Sequence, residues 1–95
     1  MQYYIQAYDF TDENALIRRM QARPAHLQRM RELKQAGHFI MGGAILSDAG
    51  AMIGSVIIMD FPEEFMLMKW LETEPYLLEK VWDRIEIKPF RQAEV

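Results

Sequence analysis

Ninety-five residues, 51% hydrophobic and 26% charged, suffice for one domain with a single core, spanning 1-95. A chain this short buries only about two-thirds of its unfolded surface, so an apolar face kept for self-association is expected. The absence of cysteine excludes a disulfide framework, a thiolate nucleophile and Cys-ligated metal, and the net charge of -3 argues against a nucleic-acid partner, which needs a basic surface.

The first segment, QYYIQAYDF, is aromatic and alternating, and predicts a strand. It lacks the basic start and continuous apolar run of a signal peptide, and no stretch approaches the ~18 apolar residues of a membrane span. A cytoplasmic protein without a membrane partner is the expectation. The next segment, TDENALIRRMQARPAHLQRMRELKQAG, has helical spacing, with Thr11 or Asp12 as cap and Gly37 as stop. Pro24 interrupts it: proline disfavours helical backbone in the residue before it, so Arg23 is predicted extended. A short helical turn near 13 to 20 would then precede a main helix from 24 to 36.

HFIMGGAIL and MIGSVIIMDF, joined by the turn material SDAGA, predict an antiparallel hairpin. Pro62, followed by Glu63 and Glu64, opens a second helix, PEEFMLMKWLET, that Pro75 ends. YLLEKV forms a turn or short helix, and WDRIEIKPF alternates as a last strand. The order β-α-β-β-α-β is the split βαβ arrangement of a ferredoxin-like α+β fold, a four-stranded antiparallel sheet with both helices on one face. A second copy of the chain is the simplest cover for the other face, giving a homodimer.

Within the main helix His26, Met30 and Leu33 share a face, broadened by Leu27 and Ala36, so His26 projects toward the sheet. In a first turn, the positive end of the helix dipole would disfavour the imidazolium and leave a neutral ring able to act as a general base. A partly buried histidine with a backbone partner is the plainer reading. Gly42 and Gly43 in mid-strand, with Gly54 and Ser55 beside them, predict a hollow near the helix, against ordinary bulging and close packing as the alternatives. Glu74, ahead of Pro75 and Tyr76, is a carboxylate that could orient the imidazole, with Glu72 and Asp83 as competitors.

Other chemistries are not supported by the spacing. His26 and His38 would stand roughly 18 Å apart on a continuous helix and cannot share a metal. Ser47 and Ser55 lack a strand-turn-helix elbow, and no glycine-rich phosphate loop precedes a helix. The eight methionines and Phe65, Trp70 and Trp82 read as core and interface filling. Arg18, Arg19, Arg23, Arg29 and Arg31 form a basic patch, either a solvated face or a contact for an anionic substrate.

RPAHLQRMRELKQAG, GGAI, GSVIIMDF, EPYLLEKVW and IEIKPF, in this order and spacing, resemble the YciI-like (YCII-related) proteins over nearly the whole chain. The resemblance implies a ferredoxin-like, dimeric α/β-barrel fold and a histidine–aspartate dyad proposed as the active site. It also implies kinship with a dehydrochlorinase of a chlorinated hydroxyquinol, and more widely with muconolactone-isomerase-like enzymes and monooxygenases that use no external cofactor. His26 matches the family histidine, whereas Glu74 stands where the family usually has aspartate before Pro-Tyr, and its extra methylene puts the dyad's geometry in question.

The reading that results is a cofactor-free lyase or isomerase acting on a small cyclic or aromatic compound. His26 would move the proton, Glu74 would orient it, and Arg23, Gly43, Ser55 and Tyr76 would bind the ligand. The competing reading is a non-catalytic ligand-binding or assembly module. The first requires an open pocket with His26 and a carboxylate within about 3.2 Å, directly or through one water; the second predicts a hollow filled by methionine side chains.

Overall fold

Alternation in the N-terminal segment becomes a strand buried on one side. Along β1 (Gln2–Asp9), Tyr3, Ile5, Ala7 and Asp9 are buried, and the even positions face the other way. The computed structural model describes residues 1–95. After β1 come α1 (Ala15–Gln35), β2 (Phe39–Leu46), β3 (Met52–Asp60), α2 (Glu64–Leu71), α3 (Pro75–Leu78) and β4 (Trp82–Phe90). The strands form one antiparallel sheet in the order β2-β3-β1-β4. This is the predicted ferredoxin-like α+β arrangement, with β1 and β3 central and β2 and β4 at the edges.

The break expected at Pro24 does not occur. Arg23 and Pro24 lie inside one 21-residue helix, α1. Proline there removes the amide that would bond the Met20 carbonyl, at a cost of about 3 kcal/mol. The opposing term is the stripe Ala15, Arg19, Ala22, His26, Met30 and Leu33, buried on both sides of Pro24 while the proline itself is exposed. Met30 and Leu33 alone contribute about 1.5–3 kcal/mol each by burial. A break would rotate one half of the stripe off the sheet, so packing outweighs the lost bond.

The helix begins later than Thr11 or Asp12. Its N-cap is Asn14, without a side-chain cap; Asp12 instead accepts from the Asn14 amide and from both terminal nitrogens of Arg18. The predicted stop is where it was placed. Gly37 has φ +84°, its amide bonds the Lys34 carbonyl, and the His38 amide bonds the Leu33 carbonyl, the double bond of a Schellman turn. Ala36, expected on the buried face, is exposed because the helix ends there.

Register decides which side chains face the helices. Ser55, Ile57 and Met59 of β3 pair with Ala7, Ile5 and Tyr3 of β1 on the helix-covered face. On the opposite face lie Tyr4, Met41, Ile45, Val56 and Phe90, with polar residues of β4 interleaved. The second helix is shorter than Pro62 to Thr73, because Glu63 is its extended N-cap. Pro75 does more than end it: Pro75 is the first-turn residue of α3, and Glu74 is the N-cap.

Candidate active site

His26 lies mid-helix, about three turns from the N-terminus of α1, so the dipole argument for its charge state does not apply. Its electrostatic partner is a side chain. Glu74, fully buried, places Oε1 against His26 Nδ1 and accepts from the Tyr76 amide at 3.3 Å with the same oxygen. Glu72 and Asp83 are exposed and take no part. A carboxylate accepts only, so Nδ1 is the donor nitrogen and the lone pair of the neutral ring sits on Nε2. The ring lines a cavity, and Nε2 makes no hydrogen bond within the chain. Glu74 Oε2 is buried without a partner.

Two aromatic side chains and a guanidinium hold this pair in place. Tyr76 stacks on His26 with centroids 4.0 Å apart and planes 14° from parallel, and Trp82 meets both rings edge-on. Arg19 lies over Tyr76, its guanidinium carbon 4.6 Å from the ring centroid. Burial pushes the Tyr76 hydroxyl above its ordinary value, against the pull of Arg19 and Arg23.

Arg19 was legible only as part of a basic patch, yet it is almost fully buried and organises one wall of the site. Its Nη1 bonds both oxygens of Asp9, at 2.9 and 3.0 Å, and its Nη2 donates to Ser55 Oγ at 2.8 Å. Trp82 Nε1 donates to the same hydroxyl at 3.2 Å. Burial drives the Asp9 carboxyl up, and the Arg19 charge and hydrogen bonds pull it back only partly. Asp9 and Trp82 were not anticipated as site residues. The signal was periodicity: Asp9 follows Tyr3, Ile5 and Ala7 on the core face of β1, and Arg19 stands seven residues before His26 on one helical stripe.

The cavity between α1 and the β2–β3 side of the sheet has a volume of about 110 Å³. Arg19, Arg23, His26, Ser55 and Tyr76 supply its polar wall, and Leu27, Phe39 and Ile57 its apolar one. Met30 and Met52 stand in the wall, leaving the space open. Arg23 is half-buried and has neither an ion pair nor a side-chain hydrogen bond in the chain. Gly42 and Gly43 line the β2 edge as the hollow requires. Gly54 does not: an added Cβ would meet the Ala7 carbonyl oxygen at 2.5 Å, so this glycine serves close strand packing.

Comparison with known proteins matches this architecture to one family. Residues 1–91 fit the YCII-related domain. Protein YciI of Escherichia coli O6:H1 is 32% identical over 99 aligned positions, covering 98% of this chain and 99% of that protein, and protein YciI of Shigella flexneri matches equally well. Among solved structures, the 5-chloro-2-hydroxyhydroquinone dehydrochlorinase of Burkholderia phenoliruptrix AC1100, in complex with 2,5-dihydroxybenzoquinone, superposes with a TM-score of 0.83 at 21% identity. It covers 98% of this chain and 96% of its own. Atu4242 of Agrobacterium tumefaciens superposes with a TM-score of 0.55 at 14% identity, covering 98% and 94%. A matching domain over nearly the full length, with relatives above 30% identity, makes this chain a member of the YCII-related family.

Proposed function

We propose that this protein is a cofactor-free acid/base enzyme, lyase- or isomerase-like, acting on a small cyclic or aromatic compound in the cavity beside His26. The observation that carries the reading is the His26–Glu74 contact: a buried carboxylate on Nδ1 and an unpartnered Nε2 on a ring lining an open cavity. Nε2 takes a proton from the substrate, Glu74 stabilises the imidazolium that forms, and the same nitrogen returns the proton or holds it while a leaving group departs. Tyr76 and Gly43 shape the ligand's berth, and Arg23 meets an acidic oxygen on it. The structural neighbour's activity on a chlorinated hydroquinone supports this substrate class.

The non-catalytic alternative is less well supported, because the methionines border the cavity rather than fill it. Chloride release from 5-chloro-2-hydroxyhydroquinone, together with solvent-deuterium incorporation into cyclic ketones, tests the reading. Both activities are expected in the wild type and lost in His26→Ala; equal rates in the two proteins would refute it. The proposal includes a homodimer, in which a second copy covers the apolar residues of the outer sheet face, with Met41 at 61% exposure among them. Light scattering should then give twice the 11.2 kDa chain mass.

A further inference from the structure

The two edges of the sheet are finished differently. An edge strand leaves a row of backbone N–H and C=O groups unpaired, and proteins that stay apart blunt such edges with charged side chains, proline or bulges. β4 carries Asp83, Arg84, Glu86 and Lys88 together with Pro89. β2, with the sequence FIMGGAIL, carries no charge and no proline. Its register is irregular only at Phe39/Met41 and at Ile45/Leu46, so Met41 to Ile45 is a regular stretch with Gly43 at its centre.

The ladder decides which groups of that stretch point outward. The Asp60 amide bonds the His38 carbonyl at 2.7 Å, and the Phe61 amide bonds the Met1 carbonyl at 3.0 Å. Successive residues of an antiparallel strand turn their backbone groups to opposite sides, so, counting back from Asp60, Ile58, Val56 and Gly54 address β2. Their partners Met41, Gly43 and Ile45 are therefore bonded to β3, and Gly42 and Ala44 present their N–H and C=O to the open side. The same alternation, carried through Tyr3 of β1, turns Pro89 of β4 outward, where its missing N–H interrupts the row.

We infer that the β2 edge is an interface between copies of this chain, in which β2 pairs with β2 of a second copy, antiparallel about a two-fold axis through Gly43. Such a register has to match sheet faces as well as hydrogen bonds, and centring on Gly43 does both. Gly42 of one copy meets Ala44 of the other and exchanges both backbone bonds with it, while Gly43 meets itself. Gly43 then forms a non-hydrogen-bonded pair, in which Cα atoms come within about 4.5 Å, and glycine leaves no side chain to crowd the axis. On either side Met41, 61% exposed in the single chain, gains Ile45 as an apolar cross-strand neighbour. This contact is separate from the outer-face pairing and independent of the chemistry at His26. It is short, so it forms as concentration rises.

Light scattering and amide hydrogen exchange followed by NMR test it. The mass should double from its dilute-solution value as the protein is concentrated, and the Gly42 and Ala44 amides should become as slow to exchange as those of Met41, Gly43 and Ile45. A side chain at Gly43 meets nothing within 4 Å in its own chain, so charged variants there keep the fold while setting like charges against each other across the axis. Gly43→Lys and Gly43→Glu should each weaken the association about fourfold or more at low salt, and an equal mixture of the two should restore it. A mass that never doubles, with Gly42 and Ala44 exchanging as fast as unbonded amides, overturns the inference. So does a doubling that the mixture fails to restore, or one that protects the Ile85 and Ile87 amides of β4 instead. The mass in dilute solution reads the outer-face pair separately, so either contact can fail alone.

Discussion

Glu74 and His26, separated by 48 positions in the chain, meet inside the protein with the carboxylate also serving as the N-cap of α3. One oxygen thus does two jobs, and Glu74→Ala should lose both: the cap, about 1 kcal/mol, and the partner of a buried imidazole N–H, about 1–3 kcal/mol. Glu74→Asp should keep the cap and pull the carboxylate back from the ring. Long-range 1H–15N spectra of His26 should show the Nδ1–H form in the wild type and a mixture of tautomers in Glu74→Ala. An unchanged Nδ1–H signal in that variant would mean that Glu74 does not set the ring's orientation.

Asp9 and Asp12, three residues apart, should give stability profiles of opposite slope. Burial raises the folded carboxyl of Asp9 above 3.8, so its contribution is present at low pH and is lost as pH rises through the folded value. The hydrogen bond from Arg18 lowers Asp12 from 3.8 to about 2, so its contribution is present above 3.8 and is lost as pH falls toward about 2. Melting temperatures of wild type, Asp9→Asn and Asp12→Asn across that range check this. Relative to Asp9→Asn the wild type should weaken with rising pH, and relative to Asp12→Asn it should strengthen. Parallel curves for the two variants would contradict the assignment.

The order of strands and helices was legible because period-two and helical stretches alternate along the chain, and Gly37 stopped its helix where the turn geometry demands. His26 and Glu74 were also legible, one from its helical face and the other from its place before Pro75. What could not be read locally was set by tertiary packing. Arg19 looks like a surface arginine until its stripe is seen to be buried, and its partner Asp9 lies on a different element. Trp82 reads as bulk, although its indole N–H does polar work on Ser55. Gly54 resembles Gly42 in sequence context, but register turns it to the opposite face from Ser55.

Pro24 provides a direct measure of packing against propensity. Its ring is exposed and α1 runs straight through it, so Pro24→Ala should restore the amide bond to the Met20 carbonyl without disturbing the buried stripe. The helix gains up to about 3 kcal/mol from the substitution, and the freer unfolded chain takes back about 0.4–1 kcal/mol. A net stabilisation of up to about 2–2.6 kcal/mol, seen as a higher urea midpoint with an unchanged slope, is the expected outcome. A lower midpoint would mean that the helix needs the proline for its position on the sheet.

Gly43 and Gly54 should respond unequally to the same added methyl group. At Gly54 an added Cβ would sit 2.5 Å from the Ala7 carbonyl oxygen, which is backbone of a central strand and cannot swing aside. The strands must separate there, so Gly54→Ala should cost about 1–3 kcal/mol, as overpacking in a tight interior does. At Gly43 nothing lies within 4 Å of the added atom, and its backbone is extended strand on an edge. Gly43→Ala should therefore leave stability within about 0.5 kcal/mol of wild type. Urea unfolding of the two variants side by side measures the difference. Equal losses at both positions would show that the close approach of β3 to β1 at Ala7 is not what glycine is needed for at position 54.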